Sequence, residues 1–306
     1  MALTSMQDML ARARRGQYAV CYCEAWNLES LQAAVEAAEE TRSPVIVGFG
    51  GGFLMRPERS HPEPLEYYAG LGLAAAQVAS VPVALLLNET DSFDQIKKAI
   101  ELGFNGVMVD NERWRAGEYQ ELVRQVVIWA HRHAVAVEAQ MGHLPEHAGG
   151  RDRHGSLTNP QAARAFAQST GIDALAVSIG NVHVMTRGGA AIDLKLLAEI
   201  ERQVRLPLVM HGGTGFPRSK AKQAVRCGVA KFNFGTGLKQ AYLRALESSL
   251  RKYREPMNPH PFLGMGGSKD ILVAARQAVT REVVKLMQTF GSAGNAGSCP
   301  ALRGKT

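Results

Sequence analysis

Pro207-Leu208-Val209-Met210-His211-Gly212-Gly213-Thr214-Gly215 reads as a short apolar strand, a polar residue at its end, and a glycine-rich turn into a helix that begins near Arg218. Ala230-Lys231-Phe232-Asn233-Phe234-Gly235-Thr236 repeats that pattern one element later. Strands that are apolar throughout are buried on both faces, as in a parallel sheet covered by helices. Outward from this pair, residues 18–22, 44–47, 83–87, 106–110, 135–139 and 175–178 form further apolar runs, separated by amphipathic stretches at 28–40, 65–79, 93–102, 119–133, 162–170 and 194–204. Eight runs with helices between them predict an α/β fold, a (β/α)8 TIM barrel. It is expected to form a single domain over residues 1–290, with an extra C-terminal helix at 269–290. A doubly wound open sheet is the alternative that the same alternation allows.

Composition narrows the function classes. The chain has 306 residues, 46% hydrophobic and 21% charged, which is enough apolar content for a large core and excludes a disordered chain. The longest apolar run, 71–87, is interrupted by Gly72, Gln77, Ser80 and Pro82, so no membrane span of ~18 residues is expected. The net charge of +7 comes from 35 basic and 28 acidic residues. They are scattered, without interleaved aromatics, which argues against nucleic acid and for at most a modest attraction to small anions. Residues 1–17 lack the order of a secretory signal and predict an opening helix. Cys21, Cys23, Cys227 and Cys299 fit no disulfide framework in so long a chain, so reduced thiols and a cytoplasmic location are expected. Residues 291–306, rich in Gly, Ala and Ser, predict a disordered tail. Residues 141–157, polar and rich in His and Gly, predict a mobile active-site loop.

In a barrel the chemistry sits where the C-terminal ends of the strands converge. The polar residues there are Glu24, Asn88, Glu89, Asp110, Gln140, His183, His211 and Asn233. Two histidines with carboxylates and carboxamides on separate strand ends suit zinc, iron or manganese. The glycines at 212, 213 and 235, with Thr214 and Thr236, let backbone N–H groups approach an anion at a helix N-terminus, and adjacent cradles after strands seven and eight recur in barrels.

At these residues the chain resembles the class II, metal-dependent fructose-bisphosphate and tagatose-bisphosphate aldolases. The likeness runs from about residue 18 to 247. It rests on Asn27-Leu28-Glu29, Ser43-Pro44-Val45-Ile46, Val81-Pro82-Val83-Ala84-Leu85, Val137-Glu138-Ala139, Gly180-Asn181-Val182-His183, Met210-His211-Gly212-Gly213-Thr214-Gly215, and Lys231-Phe232-Asn233 with Thr236. In that family three histidines hold a zinc ion that stabilises an enediolate, and an aspartate shuttles the proton of the hydroxyl whose C–C bond breaks. His183 and His211 fill two of the histidine positions. Where the family reads His-Leu-Asp-His-Gly, this chain reads Leu86-Leu87-Asn88-Glu89-Thr90, so Glu89 replaces a ligand and Asn88 the acid. An amide cannot take up a proton as a carboxylate does. Further departures are Gln140 for a glutamate, Glu24 for the asparagine of Ala-Phe-Asn, Val184 for a glycine, and Gly235 for an aspartate.

The resemblance thus implies a divergent metal-dependent lyase that acts on a phosphorylated or otherwise anionic ketose-like substrate. Zn2+, or another divalent ion, is expected on His183, His211 and Glu89. Catalytic candidates are Asn88 and Glu89 themselves, with Glu24 or Glu146 as base. Gly180, Val184, Gly212, Gly213, Thr214, Asn233, Gly235 and Thr236 are expected to bind the substrate's anionic end, with Gln140 and His143 also in the pocket. Loss of the acid at 235 is expected to leave the cradle less acidic. A homodimer or homotetramer is expected, with neither nucleic acid nor membrane as partner. An epimerase, a dehydratase or a non-catalytic sugar-phosphate binder on the same scaffold are the alternatives.

Overall fold

Side chains along β1 (Val20–Glu24) alternate between two hydrophobic clusters. Val20 and Tyr22 enter an inner cluster with Ile46, Ala84, Leu86, Met108, Ala136, Ala176 and Val209. Cys21 and Cys23 join an outer one shared with the helices. This period of two recurs on the other strands, apart from bulges on β3 and β8, and separates the barrel's interior from its jacket. In the computed structural model of the chain, residues 3–145, 155–186 and 188–298 are described.

α1 (Met6–Gly16) precedes β1. There follow α2 (Leu28–Thr41), β2 (Val45–Gly50), α3 (Gly51–Leu54), α4 (Leu65–Val78), β3 (Val83–Thr90), α5 (Phe93–Glu101), β4 (Gly106–Val109), α6 (Ala116–Arg132) and β5 (Ala136–Met141). The second half runs α7 (Pro160–Thr170), β6 (Ala174–Val177), α8 (Leu194–Val204), β7 (Leu208–Met210), α9 (Ala221–Arg226), β8 (Val229–Phe234), α10 (Thr236–Leu250) and α11 (Ile271–Phe290). The strands form a closed barrel in sequence order, and β1 pairs in parallel with both β2 and β8. Closure rules out the open sheet.

The inner residues at the N-terminal end are small: Ala84, Ala136, Ala174 and Ala230. They leave room for α1, whose Met6, Met9, Leu10 and Ala13 are fully buried in the inner cluster. Met6, Met9 and Leu10 each contribute roughly 1.5–3 kcal/mol on burial, so the opening helix acts as a plug at the end opposite the strand C-termini.

The expected tail needs correction. Gly294 and Ala296 donate their N–H groups to the carbonyls of Thr41 (2.9 Å) and Arg42 (2.8 Å), and Ser292 is fully buried. These bonds satisfy backbone at the end of α2, so residues 291–298 belong to the folded body; residues 299–306, with Cys299, lie outside the described residues. Cys21, Cys23 and Cys227 are free thiols. No helix among the described residues is long and apolar enough to cross a membrane.

Candidate active site

The alternation breaks where the chemistry begins. On β3, Leu86 faces in and Leu87 out, and Asn88 lines the cavity, so Glu89 should face the helices. Instead the β3–β4 register shifts between Leu87 and Thr90, and Glu89 adopts φ of +52°. A left-handed conformation costs a non-glycine residue roughly 1–2 kcal/mol. The bulge turns two consecutive side chains, Asn88 and Glu89, toward the strand C-termini.

There Glu89 meets two histidines. One of its oxygens, Oε1, lies 2.9 Å from His211 Nδ1 and 3.2 Å from His183 Nε2. The three residues present ligand atoms that all lie within 4.8 Å of one another. Tetrahedral zinc with bonds of ~2.0–2.2 Å needs donors ~3.3–3.6 Å apart, so the donor set fits a divalent ion after a small adjustment. His183 stands on the loop after β6. Asn181 shapes that loop, accepting from Ile179 N–H at 2.9 Å and donating to the His211 carbonyl at 3.0 Å. Gly180, at φ of +99°, has no room for a side chain, since a Cβ would stand 2.1 Å from Ala191 O.

Behind His211 lies a buried relay. Its Nε2 is 2.9 Å from Glu138 Oε1, and Glu138 Oε2 accepts from Lys231 Nζ at 2.7 Å. Glu138 and Lys231 are both fully buried. Lys231 points inward because β8 also bulges: Leu208 pairs with Val229 and Val209 with Lys231, which leaves Ala230 unmatched. Burial pushes the Glu138 carboxyl up, but Lys231 and His211 outweigh it and hold it below its usual range. Glu138 on Nε2 holds the His211 ring so that Nδ1 points to Glu89, the arrangement in which a second carboxylate orients a histidine ligand. Burial likewise opposes ionisation of Glu89, yet His183 and His211 keep it well below the usual carboxylate range. Glu89 in turn raises His183 to about 9, against burial.

The Glu89–histidine cluster separates two lobes of one cavity. The first, about 290 Å³, contains the glycine-rich turns and is lined by Val184, Gly212, Thr214, Asn233, Gly235 and Thr236. Gly212 has φ of +70°, and a Cβ there would stand 1.9 Å from Val182 O. Gly213 is also crowded, though less so, with a Cβ 2.7 Å from Asn233 O. Gly212→Ala is therefore expected to cost about 2 kcal/mol or more in urea unfolding, because both the handedness and the space are wrong for alanine. α10 starts at Thr236 without a side-chain cap from Gly235, and Thr214 Oγ1 accepts from Gly237 N–H at 3.0 Å. A helix end of this kind favours anions.

One expectation about this lobe is corrected. The cradle has not lost its acid: a Cβ at Gly235 would stand 2.1 Å from Glu24 Oε2, so β1 supplies the carboxylate instead. Glu24 Oε1 pairs with Lys239 Nζ at 2.9 Å. Tyr22 Oη, Asn88 Oδ1 and Asn233 Oδ1 are buried without a partner and belong to residues lining this lobe. Unsatisfied buried oxygens are costly, and a ligand bringing hydroxyl groups would satisfy them.

The second lobe, about 350 Å³, is lined by Arg56, Asp110, Arg113, Gln140 and His143 among others. Asp110 is pushed up to about 6 by burial, with Glu112 and Glu89 adding to it. Gln140 lies 3.3 Å from Asn111 Oδ1 through its amide nitrogen. Glu146 lies outside the described residues. Sequence reasoning missed Glu138 and Lys231, which it read as scaffold, and Lys239; Asp110 appeared only as one polar strand end among several. A charged residue in an otherwise apolar strand was the available signal for the first two.

The profile of the class-II fructose-bisphosphate aldolase family matches residues 4–295. The chain is similar to the YdjI aldolase from Escherichia coli K12, at 28% identity and a TM-score of 0.80, over 96% of this chain and 99% of that one. A fructose-bisphosphate aldolase from Campylobacter jejuni shares the fold at 20% identity and a TM-score of 0.72, over 94% of each chain.

Proposed function

Since the chain belongs to the class II fructose-bisphosphate aldolase family and is aldolase-like by that descent, we propose that it is a metal-dependent lyase acting on a phosphorylated or otherwise anionic ketose-like substrate. The observation that carries this reading is the convergence of Glu89, His183 and His211 between the two lobes, with Glu138 behind His211. These three residues would hold a divalent ion, most simply zinc. Bound there, it supplies a Lewis acid for the substrate's oxygens.

The chain's own residues divide the remaining work. The cradle lobe binds the anionic end through the first turn of α10 and Lys239. Asn233 Oδ1 and Tyr22 Oη accept or share hydrogen bonds with substrate hydroxyls. Asn88 can orient a hydroxyl but cannot take its proton, since a carboxamide is not basic. Asp110, on the wall of the other lobe, can exchange a proton near neutrality, because its crowding by burial, Glu112 and Glu89 brings it up to about 6.

Cleavage of fructose 1,6-bisphosphate is accordingly expected to run ~10²–10⁴-fold below that of an enzyme with a positioned acid at 88. Asn88→Asp with Glu89→His should raise it, and histidine tolerates the left-handed backbone at 89 better than most residues. The test is aldehyde release by zinc-loaded protein from a panel of ketose phosphates and ketose acids. Release from at least one supports the lyase. No release anywhere, with anion binding intact, replaces it with the non-catalytic binder.

A further inference from the structure

Glu24 is an odd neighbour for an anion. Its side chain is only 14% exposed, and it lies in the cradle lobe with Thr214, Gly235 and Thr236. Oε1 is engaged by Lys239 at 2.9 Å. The other oxygen, Oε2, occupies the space that any side chain at 235 would need, 2.1 Å from its Cβ. Gly235 has φ of −130°, outside the left-handed region, so it is the Glu24 carboxylate, not backbone handedness, that fills the space beside it. Lys239 is itself fixed, 4.7 Å above the Phe53 ring and 5.8 Å from that of Trp26. Burial in this place pushes the Glu24 carboxyl up, with Lys239 opposing.

A carboxylate cannot donate to a bound anion, and it repels one at close range. It can accept a hydroxyl proton, in a charge-assisted hydrogen bond stronger than a neutral one. We propose that Glu24 and Lys239 decide which end group this lobe accepts: Lys239 takes the negative charge, and the free oxygen of Glu24 takes a hydroxyl on a carbon beside it. The favoured ligand end is then an anion next to a hydroxylated carbon, and a bare anion of the same charge binds less well. This assignment deepens the lyase reading, since it concerns the same cavity, but it needs no turnover.

The probes are glycerol 3-phosphate and inorganic phosphate, titrated calorimetrically against wild type with and without zinc. Wild type should prefer glycerol 3-phosphate. Glu24→Asn should lower that preference about tenfold, as losing one hydrogen bond to a charged group does. Lys239→Met should weaken both probes alike. The decisive variant is Glu24→Asn with Gly235→Asp, which returns a carboxylate to the same space from β8 and should restore the preference; Gly235→Asp alone should not, because the two carboxylates collide. Circular dichroism checks that each variant is folded, and Glu24→Asn alone decides if the double variant is not. Equal binding of the two probes by wild type, or an unchanged preference in Glu24→Asn, overturns the assignment. A protein that holds no metal and cleaves nothing, yet shows these preferences, refutes the lyase and leaves the assignment standing.

Discussion

Purified protein supplied with zinc is expected to hold one ion per chain, and His211→Ala to lose it. The site offers two imidazoles and a carboxylate whose ligand atoms lie within 4.8 Å of each other. Removing one leaves two donors, too few for a stable protein site. The loss in affinity should exceed the ~10–100-fold typical of removing a partner behind a ligand, and Glu138→Gln should fall inside that range. His183→Ala and Glu89→Gln should behave as His211→Ala does. Elemental analysis after dialysis, with unfolding curves to show that each variant is intact, makes the check. Wild type without bound metal after zinc loading would remove the ground for the metal-dependent reading.

Lys231→Met is expected to be the most destabilising single change at the site. Glu138 and Lys231 are fully buried, 2.7 Å apart, in the middle of the barrel. Removing the lysine leaves a carboxylate in an apolar interior with only His211 opposite, and breaking a buried pair from one side costs about 3–5 kcal/mol. Methionine has similar volume, so the effect reads charge rather than packing. Lys231→Met with Glu138→Gln should recover much of the loss, because no unpaired charge remains. Urea unfolding of the three variants measures the cycle. A single variant within about 1 kcal/mol of wild type would mean that the pair does not carry this burden.

Much of the architecture was legible in local patterns. Apolar runs such as Leu208-Val209-Met210 are buried strands whatever surrounds them, since their side chains have no other place to go. His211 and Asn233 could be placed at strand ends from the same runs. The turn glycines could be marked because a glycine run between a strand and a helix lets backbone N–H groups approach an anion, and Gly212 does take a left-handed φ of +70°. His183, just beyond the sixth run, was marked in the same way, and the resemblance added that it and His211 act as ligands.

The orientation of Glu89 and Lys231 was another matter. Both owe it to bulges that shift the pairing of β3 with β4 and of β7 with β8. A bulge is not a property of the strand that carries it. It arises when eight strands must meet in register around a closed circuit, so the count of residues on the neighbours decides it. The Glu24–Lys239 pair, 215 positions apart in the chain, has the same origin: β1 and β8 become neighbours only when the barrel closes. The sequence alone therefore determined the eight strands and most of the helices between them, because burial and backbone handedness act on each residue locally. Only the tertiary structure decided which charged side chains face one another in the cavity, because ring closure sets the register between strands and no local preference encodes it.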